Sequence, residues 1–120
     1  MDFALDDGLL TIHLRNIGTG SAYLVRTAFD KPFYGIDGTK CISDMRVFRK
    51  VEFMPPGKEF VQFIDTLRNY TKRKQPMRVV ATISYQDQRG NRFEDRIGHD
   101  LRIYLELGQA KVVRKKPQGD

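Results

Sequence analysis

A pair of glycines in a polar segment, Gly18 and Gly20, is the first place in the chain where residue types could do chemistry. Glycine-rich loops bind phosphate when a strand precedes them, a helix follows, and a lysine with a serine or threonine closes the motif. The segment NIGTGS, residues 16–21, has no lysine and runs into the strand-like sequence AYLVRTAF. Its spacing also fails the dinucleotide-binding fingerprint. We therefore interpret it as a turn between two strands, with Asn and Gly suited to positive φ.

Two histidines and one cysteine are the other residues that could take part in catalysis. His99 is followed by Asp100, but neighbouring residues in a strand point to opposite faces and rarely form a catalytic pair. His13 falls on the polar face of an early strand, and no G-x-S-x-G motif supplies an activated serine. Cys41 is a single thiol, so the sequence excludes an internal disulfide and a multi-thiolate zinc site. We predict no catalytic residues and no cofactor.

Several aspartates raise the question of calcium, which takes six to eight oxygen ligands from a patterned loop. They are scattered along the chain and separated by basic residues, so we interpret them as turn residues and predict no metal site. These aspartates are Asp6, Asp7, Asp30, Asp37 and Asp44.

Positive charge is the feature that bears most directly on binding. The chain has 21 Lys and Arg against 15 Asp and Glu, a net charge of +6, and a pI near 9.6. That balance favours contact with nucleic acid, another anionic polymer or lipid headgroups. A basic stretch with an aromatic residue, here Tyr70, can bind single-stranded nucleic acid, although a solvated basic loop has the same composition. The candidate anion-binding residues are Arg68, Lys72, Arg73, Lys74, Arg78, Arg114, Lys115 and Lys116.

Short strands are the elements that must position these residues. Apolar and polar residues alternate in about seven segments separated by turn signals, and no segment shows a helical stripe. No run approaches the roughly 18 apolar residues of a membrane span. The sequence predicts one all-β domain, an antiparallel β-sandwich of about seven strands over residues 1–108, followed by a basic, flexible tail over 109–120. The predicted strands lie in LLTIHLRN, SAYLVRTAF, MRVFRKVEF, EFVQFID, MRVVATISY, RFEDRI and LRIYLEL.

Local details of this pattern give further predictions. Ala22 is out of phase with its strand, which predicts a bulge near Tyr23. Residues 30–44 are predicted to be a loop, and TLRNYTKRKQP a helical turn or a basic loop that buries no face. Both faces of EFVQFID are partly apolar, so the pattern does not select the inward one. Six aromatic residues are predicted to lie in the core, namely Phe3, Phe29, Phe53, Phe60, Phe93 and Tyr85.

Three segments resemble parts of bacterial immunoglobulin-like, adhesion-type modules. LLTIHLRNIGTGSAYLVRTAF is similar to their first hairpin, in which Asn-x-Gly ends a strand and an Ala begins the next, with a Val three residues later, as at Ala22 and Val25. EFMPPGKEF resembles their Pro-Gly turn, and ATISYQDQRGNRFEDRI their penultimate hairpin. The resemblance covers residues 9–107. Ser21 stands where proline is expected, and FDKPFYGIDGTKCISDM is a long insert, which could serve as a contact loop.

The resemblance implies an immunoglobulin-like fold and no catalytic residues. Modules of this kind sit outside the membrane in larger prokaryotic proteins as spacers or interaction domains, so it implies a protein partner and a larger membrane-anchored or surface protein. The expected function is that of a non-enzymatic accessory or protein-interaction module. The alternative is a binder of nucleic acid or another anionic polymer through the basic stretch and tail.

Overall fold

Seven main strands form two packed antiparallel sheets in the computed structural model, which describes residues 1–107. The predicted all-β sandwich is thereby confirmed. The predicted tail, with Arg114, Lys115 and Lys116, lies outside the described residues. The strands are β1 (Asp2–Asp6), β2 (Leu9–Arg15), β3 (Ala22–Phe29), β4 (Tyr34–Gly35), β5 (Lys40–Cys41), β6 (Val51–Met54), β7 (Glu59–Thr66), β8 (Arg78–Gln86) and β9 (Arg92–Asp100). The helices are α1 (Arg46–Arg49), α2 (Leu67–Lys72) and α3 (Ile103–Glu106), with a 3₁₀ turn at Ile42–Asp44.

One sheet has the strand order β1-β2-β7, and the other has the order β6-β3-β8-β9. The two-residue strands β4 and β5 form a separate small hairpin. Each main strand pairs with its neighbours antiparallel. Short turns join β1 to β2 and β8 to β9. Asp7 and Gly8, with φ of 49° and 77°, turn β1 into β2, as expected for an Asp-Gly hairpin.

The core between the sheets has two hydrophobic clusters. The larger is built on Phe3, Leu5, Leu10 and Ile12 from β1 and β2, and it extends under the connections through Phe33, Ile42, Phe48, Tyr70 and Leu101. The smaller holds Leu14, Ala22, Val25, Met54 and Ile83. Burial of one such large side chain contributes roughly 1.5–3 kcal/mol, so these alternating positions stabilise the sandwich that the period-two pattern predicts.

Two segments predicted as strands are wrong in part. MRVFRKVEF begins with helix α1, and only its second half forms strand β6. LRIYLEL is a turn followed by α3. The residues it buries are Leu101 and Tyr104, three apart, whereas Ile103, Leu105 and Leu107, which would share a strand face with Leu101, are about half exposed. The spacing of three between buried residues suits a helical turn. Strand β1 completes the set of seven in the part of the chain that the structure describes.

Within residues 66–76, Leu67–Lys72 form helix α2, which is capped at Thr66 by a hydrogen bond from Asn69 N at 3.1 Å. The prediction that this segment buries no face is wrong, because Leu67 and Tyr70 are buried. The segment 30–44 contains β4, β5 and the 3₁₀ turn, and it inserts Phe33 and Ile42 fully into the core. Both segments therefore pack against the core, because a few buried apolar residues in each hold them there.

The bulge in β3 is confirmed: the register shifts between Tyr23 and Arg26, and Leu24 has φ of 50°.

The turn at residues 16–21 is also present, but Gly18 and Gly20 are not among the positive-φ residues. The Asn16 amide instead donates to Gly20 O and to Met54 O, each at 2.9 Å.

Two of the aromatic residues predicted to lie in the core are exposed. Phe53 and Phe93 have 49% and 44% of their surface accessible. Each lies near the end of an outer strand of its sheet, at β6 and β9, where the opposing sheet does not cover it.

Candidate binding surfaces

The predicted basic stretch separates into exposed and structural cations. Arg68 and Lys72 are exposed on α2, and Lys74 follows in an exposed turn with φ of 55°. Arg78 begins β8 opposite Asp100, a carboxyl whose pKa falls to about 2, first because of its hydrogen bond from Arg102. The structure therefore brings together Arg68, Lys72 and Lys74, and it places Arg78 beside an acidic residue.

Arg73 is a structural residue, contrary to the prediction that it binds anions. Its guanidinium donates to Asp65 Oδ2 at 2.5 Å and to Tyr34 O at 3.1 Å, and only 23% of its side chain is exposed. Asp65 is 3% exposed. Burial opposes ionisation of this carboxyl, but hydrogen bonds from Arg73 and from the N–H groups of Asp37 and Thr66 outweigh burial and lower its pKa.

A bulge in the first sheet explains why Asp65 is buried. Leu10 pairs with Asp65 and Thr11 pairs with Phe63, so Ile64 is an extra residue in β7. An extra residue changes the alternation of side chains, and Ile64 and Asp65 are both buried. The sequence carries no signal for this shift, because both faces of EFVQFID are partly apolar.

The two histidines lie apart and do not form a shared site. His13 points to the outer face of β2, where its Nε2 is 2.9 Å from Thr11 Oγ1 and its Nδ1 is 3.4 Å from Glu59 Oε2. His99 packs edge-on against Phe3 at 5.0 Å, with its Nδ1 4.0 Å from Asp2 Oδ1. Burial lowers the pKa of His99. Residues 1–107 contain no group of three or more His, Cys, Asp or Glu arranged to hold a metal ion.

A polar groove of about 410 Å³ opens beside the β3 bulge, on the outer face of the larger sheet. Arg26, Arg92, Gln86, Ser84 and Glu94 line it. Within the described chain, neither arginine has a carboxylate at ion-pair distance. The groove presents both signs of charge, so it favours no single class of ligand.

The outer edge of β7 is the surface with the most exposed apolar area on a main strand. β7 is the last strand of its sheet, and Val61 and Phe63 point away from the core with 54% and 39% of their surface exposed. Leu9, on the adjacent β2, is 46% exposed. An antiparallel strand with one solvated face normally carries polar residues on that face. EFVQFID has apolar residues on both faces, and this departure is the sequence signal for the exposed surface.

An apolar cleft runs along the inner side of the same edge. It has a volume of about 130 Å³ and lies between Phe60 and Gln62 of β7 and Met45, Val47 and Phe48 at the start of α1. Ile12 and Leu14 of β2 and Val61 of β7 also line the cleft. We call the free part of β7, Glu59–Phe63, together with this cleft the β7 edge.

The described residues form a β-sandwich in which the β7 edge carries exposed apolar side chains. Residues 1–105 match a protein family described as a domain of unknown function (DUF8453). Because the match covers most of the 120 residues, the protein belongs to this family. The comparisons with curated proteins and with solved structures gave no match. Among the described residues, no helix is long and apolar enough to cross a membrane.

Proposed function

We propose that the protein is a non-enzymatic, immunoglobulin-like interaction module that binds another protein through the β7 edge. The observation that carries the proposal is the pair Val61 and Phe63, two large apolar side chains exposed on the outermost strand of a sheet. Natural sheets protect their outer strands with charge, bulges or covering segments. An uncovered, apolar outer strand is instead the element that strand-adding partners recognise.

The strand order supports the immunoglobulin-like part of the proposal. The first, second and fifth main strands share one sheet, and the fourth, third, sixth and seventh share the other. In immunoglobulin-type sandwiches the first, second and fifth strands likewise pair, and in the variable type an additional strand pairs with the third. Here β6 takes the place of that additional strand beside β3.

The test uses panning of a random peptide library on immobilised full-length protein. The test variant carries Val61→Glu and Phe63→Glu, and the matched control carries Ile103→Glu and Leu105→Glu, which are exposed to a similar degree on α3. Thermal unfolding first confirms that both variants fold. We expect the wild type and the α3 control to enrich the same peptides and the β7 variant to lose them. Absence of enrichment on the wild type, or equal enrichment on all three proteins, would contradict the proposal.

The second candidate function is binding of an anionic polymer. Arg68, Lys72 and Lys74 favour it, because they are exposed within seven residues of chain and none has a carboxylate at ion-pair distance in the described residues. Arg73 does not contribute, since its guanidinium is held by Asp65. The tail residues Arg114, Lys115 and Lys116 add charge to this candidate.

A further inference from the structure

The β7 edge has a defined length along which a further strand can pair. At its C-terminal end, Ile36 N already donates to Ile64 O at 2.7 Å, so a backbone partner occupies that end of the strand's outer side. Gly35 permits this approach, because a Cβ there would lie 2.1 Å from Ile64 O. Glu59–Phe63 is left without a pairing strand on that side in the described chain. Five residues span roughly 17 Å, so the edge accommodates a segment of about five residues.

The cleft determines which side chains such a segment needs. Successive side chains of an added strand point alternately to the two faces of the sheet. On the inner face they meet the 130 Å³ apolar cleft beside Phe60 and Val47. An engineered apolar cavity of about 150 Å³ takes up one benzene molecule, so this cleft suits one large apolar side chain. On the outer face they lie next to Val61 and Phe63, where apolar neighbours are again favoured.

The charges around the cleft are positive and uncompensated. Lys58 Nζ lies 5.3 Å from the Phe60 ring centroid, and Arg46 is exposed between the lining residues Met45 and Val47. Neither cation has a carboxylate within ion-pair distance in residues 1–107.

Of the acidic residues on the same elements, Asp44 pairs with Arg49 at 2.6 Å and Glu52 pairs with Lys50 at 3.8 Å. Glu59 Oε2 lies 3.4 Å from His13 Nδ1, a contact that is an ion pair only when His13 is protonated. A segment that supplies its own carboxylates would complement Lys58 and Arg46.

Two occupants from the protein itself fit poorly. The C-terminal segment is basic, with Lys111, Arg114, Lys115 and Lys116 against Asp120, so it adds positive charge to a positive edge. A second copy paired antiparallel about Val61 would set Glu59 opposite Phe63 on one face and Phe60 opposite Gln62 on the other. Both pairings place a polar group against an aromatic ring and lose the apolar contacts that stabilise cross-strand pairs.

We infer that the β7 edge binds an extended segment of another protein, about five residues long, with a large apolar side chain at its centre and acidic residues at its ends. The bound segment adds a strand to β7, inserts the central side chain into the cleft, and places its carboxylates near Lys58 and Arg46. This inference rests on the proposed function and specifies the partner's chemistry.

Fluorescence anisotropy with labelled synthetic peptides tests the inference on the full-length protein. The probe is Glu-Val-Leu-Val-Glu with blocked termini, and a second peptide has Lys in place of both Glu residues. We expect the Glu-ended peptide to bind at least about tenfold more tightly at low salt, because two like-charge contacts are replaced by two attractive ones. A third peptide, with Pro in place of the central Leu, has no backbone N–H at that position to donate to the strand, and its short ring does not reach into the cleft as Leu does, so it should not bind.

Variants of the protein locate the site. Arg46→Gln with Lys58→Gln should abolish the preference for Glu ends, whereas Arg68→Gln with Lys72→Gln, which removes the same charge from α2, should retain it. Val47→Trp fills the cleft without changing charge and should weaken the Glu-ended peptide at least about tenfold. Equal binding of the Glu-ended and Lys-ended peptides would overturn the inferred chemistry. Failure of both, alongside library peptides that still depend on Val61 and Phe63, would also overturn it while leaving the proposed function intact.

Discussion

At the scale of single residues, Asp65 makes a specific contribution to stability. Its carboxylate accepts hydrogen bonds from Arg73 and from two backbone N–H groups, which join the segment 34–37 to the end of β7. Asp65→Asn leaves the partly buried guanidinium without its counter-charge, and we expect a loss of about 3 kcal/mol in the free energy of unfolding, near the lower end for a broken buried pair. Urea denaturation measures this loss. The matched control, Asp44→Asn, breaks an exposed pair and should change stability little.

The same carboxylate predicts how stability depends on pH. Its folded-state pKa is lowered from the ordinary value of 3.8. Its contribution is therefore fully present above about pH 3.8 and is lost as the pH falls through the lower folded-state pKa. Urea denaturation at a series of pH values from 5 down to 2 should show that loss in the wild type. The slope below pH 3.8 should be shallower in Asp65→Asn, and equal slopes would show that folding does not lower the pKa of Asp65.

Gly35 is a second single residue with a specific role. An added Cβ would overlap Ile64 O at 2.1 Å and approach Ile42 Cγ1 at 3.1 Å, so β4 would have to move away from β7. We expect Gly35→Ala to destabilise the protein by about 2–3 kcal/mol, as overpacked substitutions do. Gly20→Ala is the control, because a Cβ there meets no atom within 4 Å, and it should be neutral or slightly stabilising. Comparable melting temperatures for the two variants would contradict the role of Gly35.

At the scale of elements, the strands were predictable where one face is buried and the other solvated. β2, β3 and β8 lie where the alternation predicted them, since a half-buried strand alternates apolar and polar residues. β9 also lies in its predicted segment, although none of its residues is fully buried. Helices α1 and α3 were missed because they have four residues each, too few for a helical period to differ clearly from an alternation.

The candidate sites were less predictable than the strands. The buried position of Asp65 depends on a bulge, and the cleft depends on where the segment 45–49 packs, and both are tertiary features without a local pattern. The exposed surface of Val61 and Phe63 was visible in the sequence only as an apolar residue on each face of one strand. Similarly, the basic composition of residues 67–78 indicated the cations, but only the contact with Asp65 separates Arg73 from its neighbours.

Helix α2 connects β7 to β8, and Tyr70 anchors it. The ring is fully buried, and its hydroxyl donates to Pro76 O at 2.6 Å. Burial raises the pKa of this phenol above its ordinary value of 10.0. The buried neutral phenol therefore contributes fully to folding stability below about pH 10, and this contribution is lost as the pH rises further.

Tyr70→Phe leaves the Pro76 carbonyl without this donor, and we expect a loss of about 1–2 kcal/mol in the free energy of unfolding, measured by thermal unfolding. Tyr23→Phe, at a half-exposed phenol, should cost less than about 0.5 kcal/mol.

At the scale of the whole molecule, a net charge of +6 on 120 residues promotes contact with any polyanion, so weak binding to nucleic acid would not by itself identify a site. The distribution of charge distinguishes the two cases. A general effect depends on the number of cations removed, whereas a site depends on which ones are removed. Two sets of three exposed cations can be compared. The α2 set, on and just after α2, is Arg68, Lys72 and Lys74, and the set on the outer sheet face is Arg26, Arg92 and Arg96.

Replacing each set with glutamine and measuring binding to a labelled single-stranded oligonucleotide separates these cases. If the basic stretch is a site, the α2 variant should lower the slope of log K against log salt by about 2, since each phosphate contact contributes about 0.7 for a single strand. The outer-face variant should change the slope by less than half as much. Equal changes in the two variants would show that polyanion binding follows net charge alone. Because both variants leave the β7 edge intact, their binding to the Glu-ended peptide should match the wild type, so that the two candidate functions are tested independently on the same proteins.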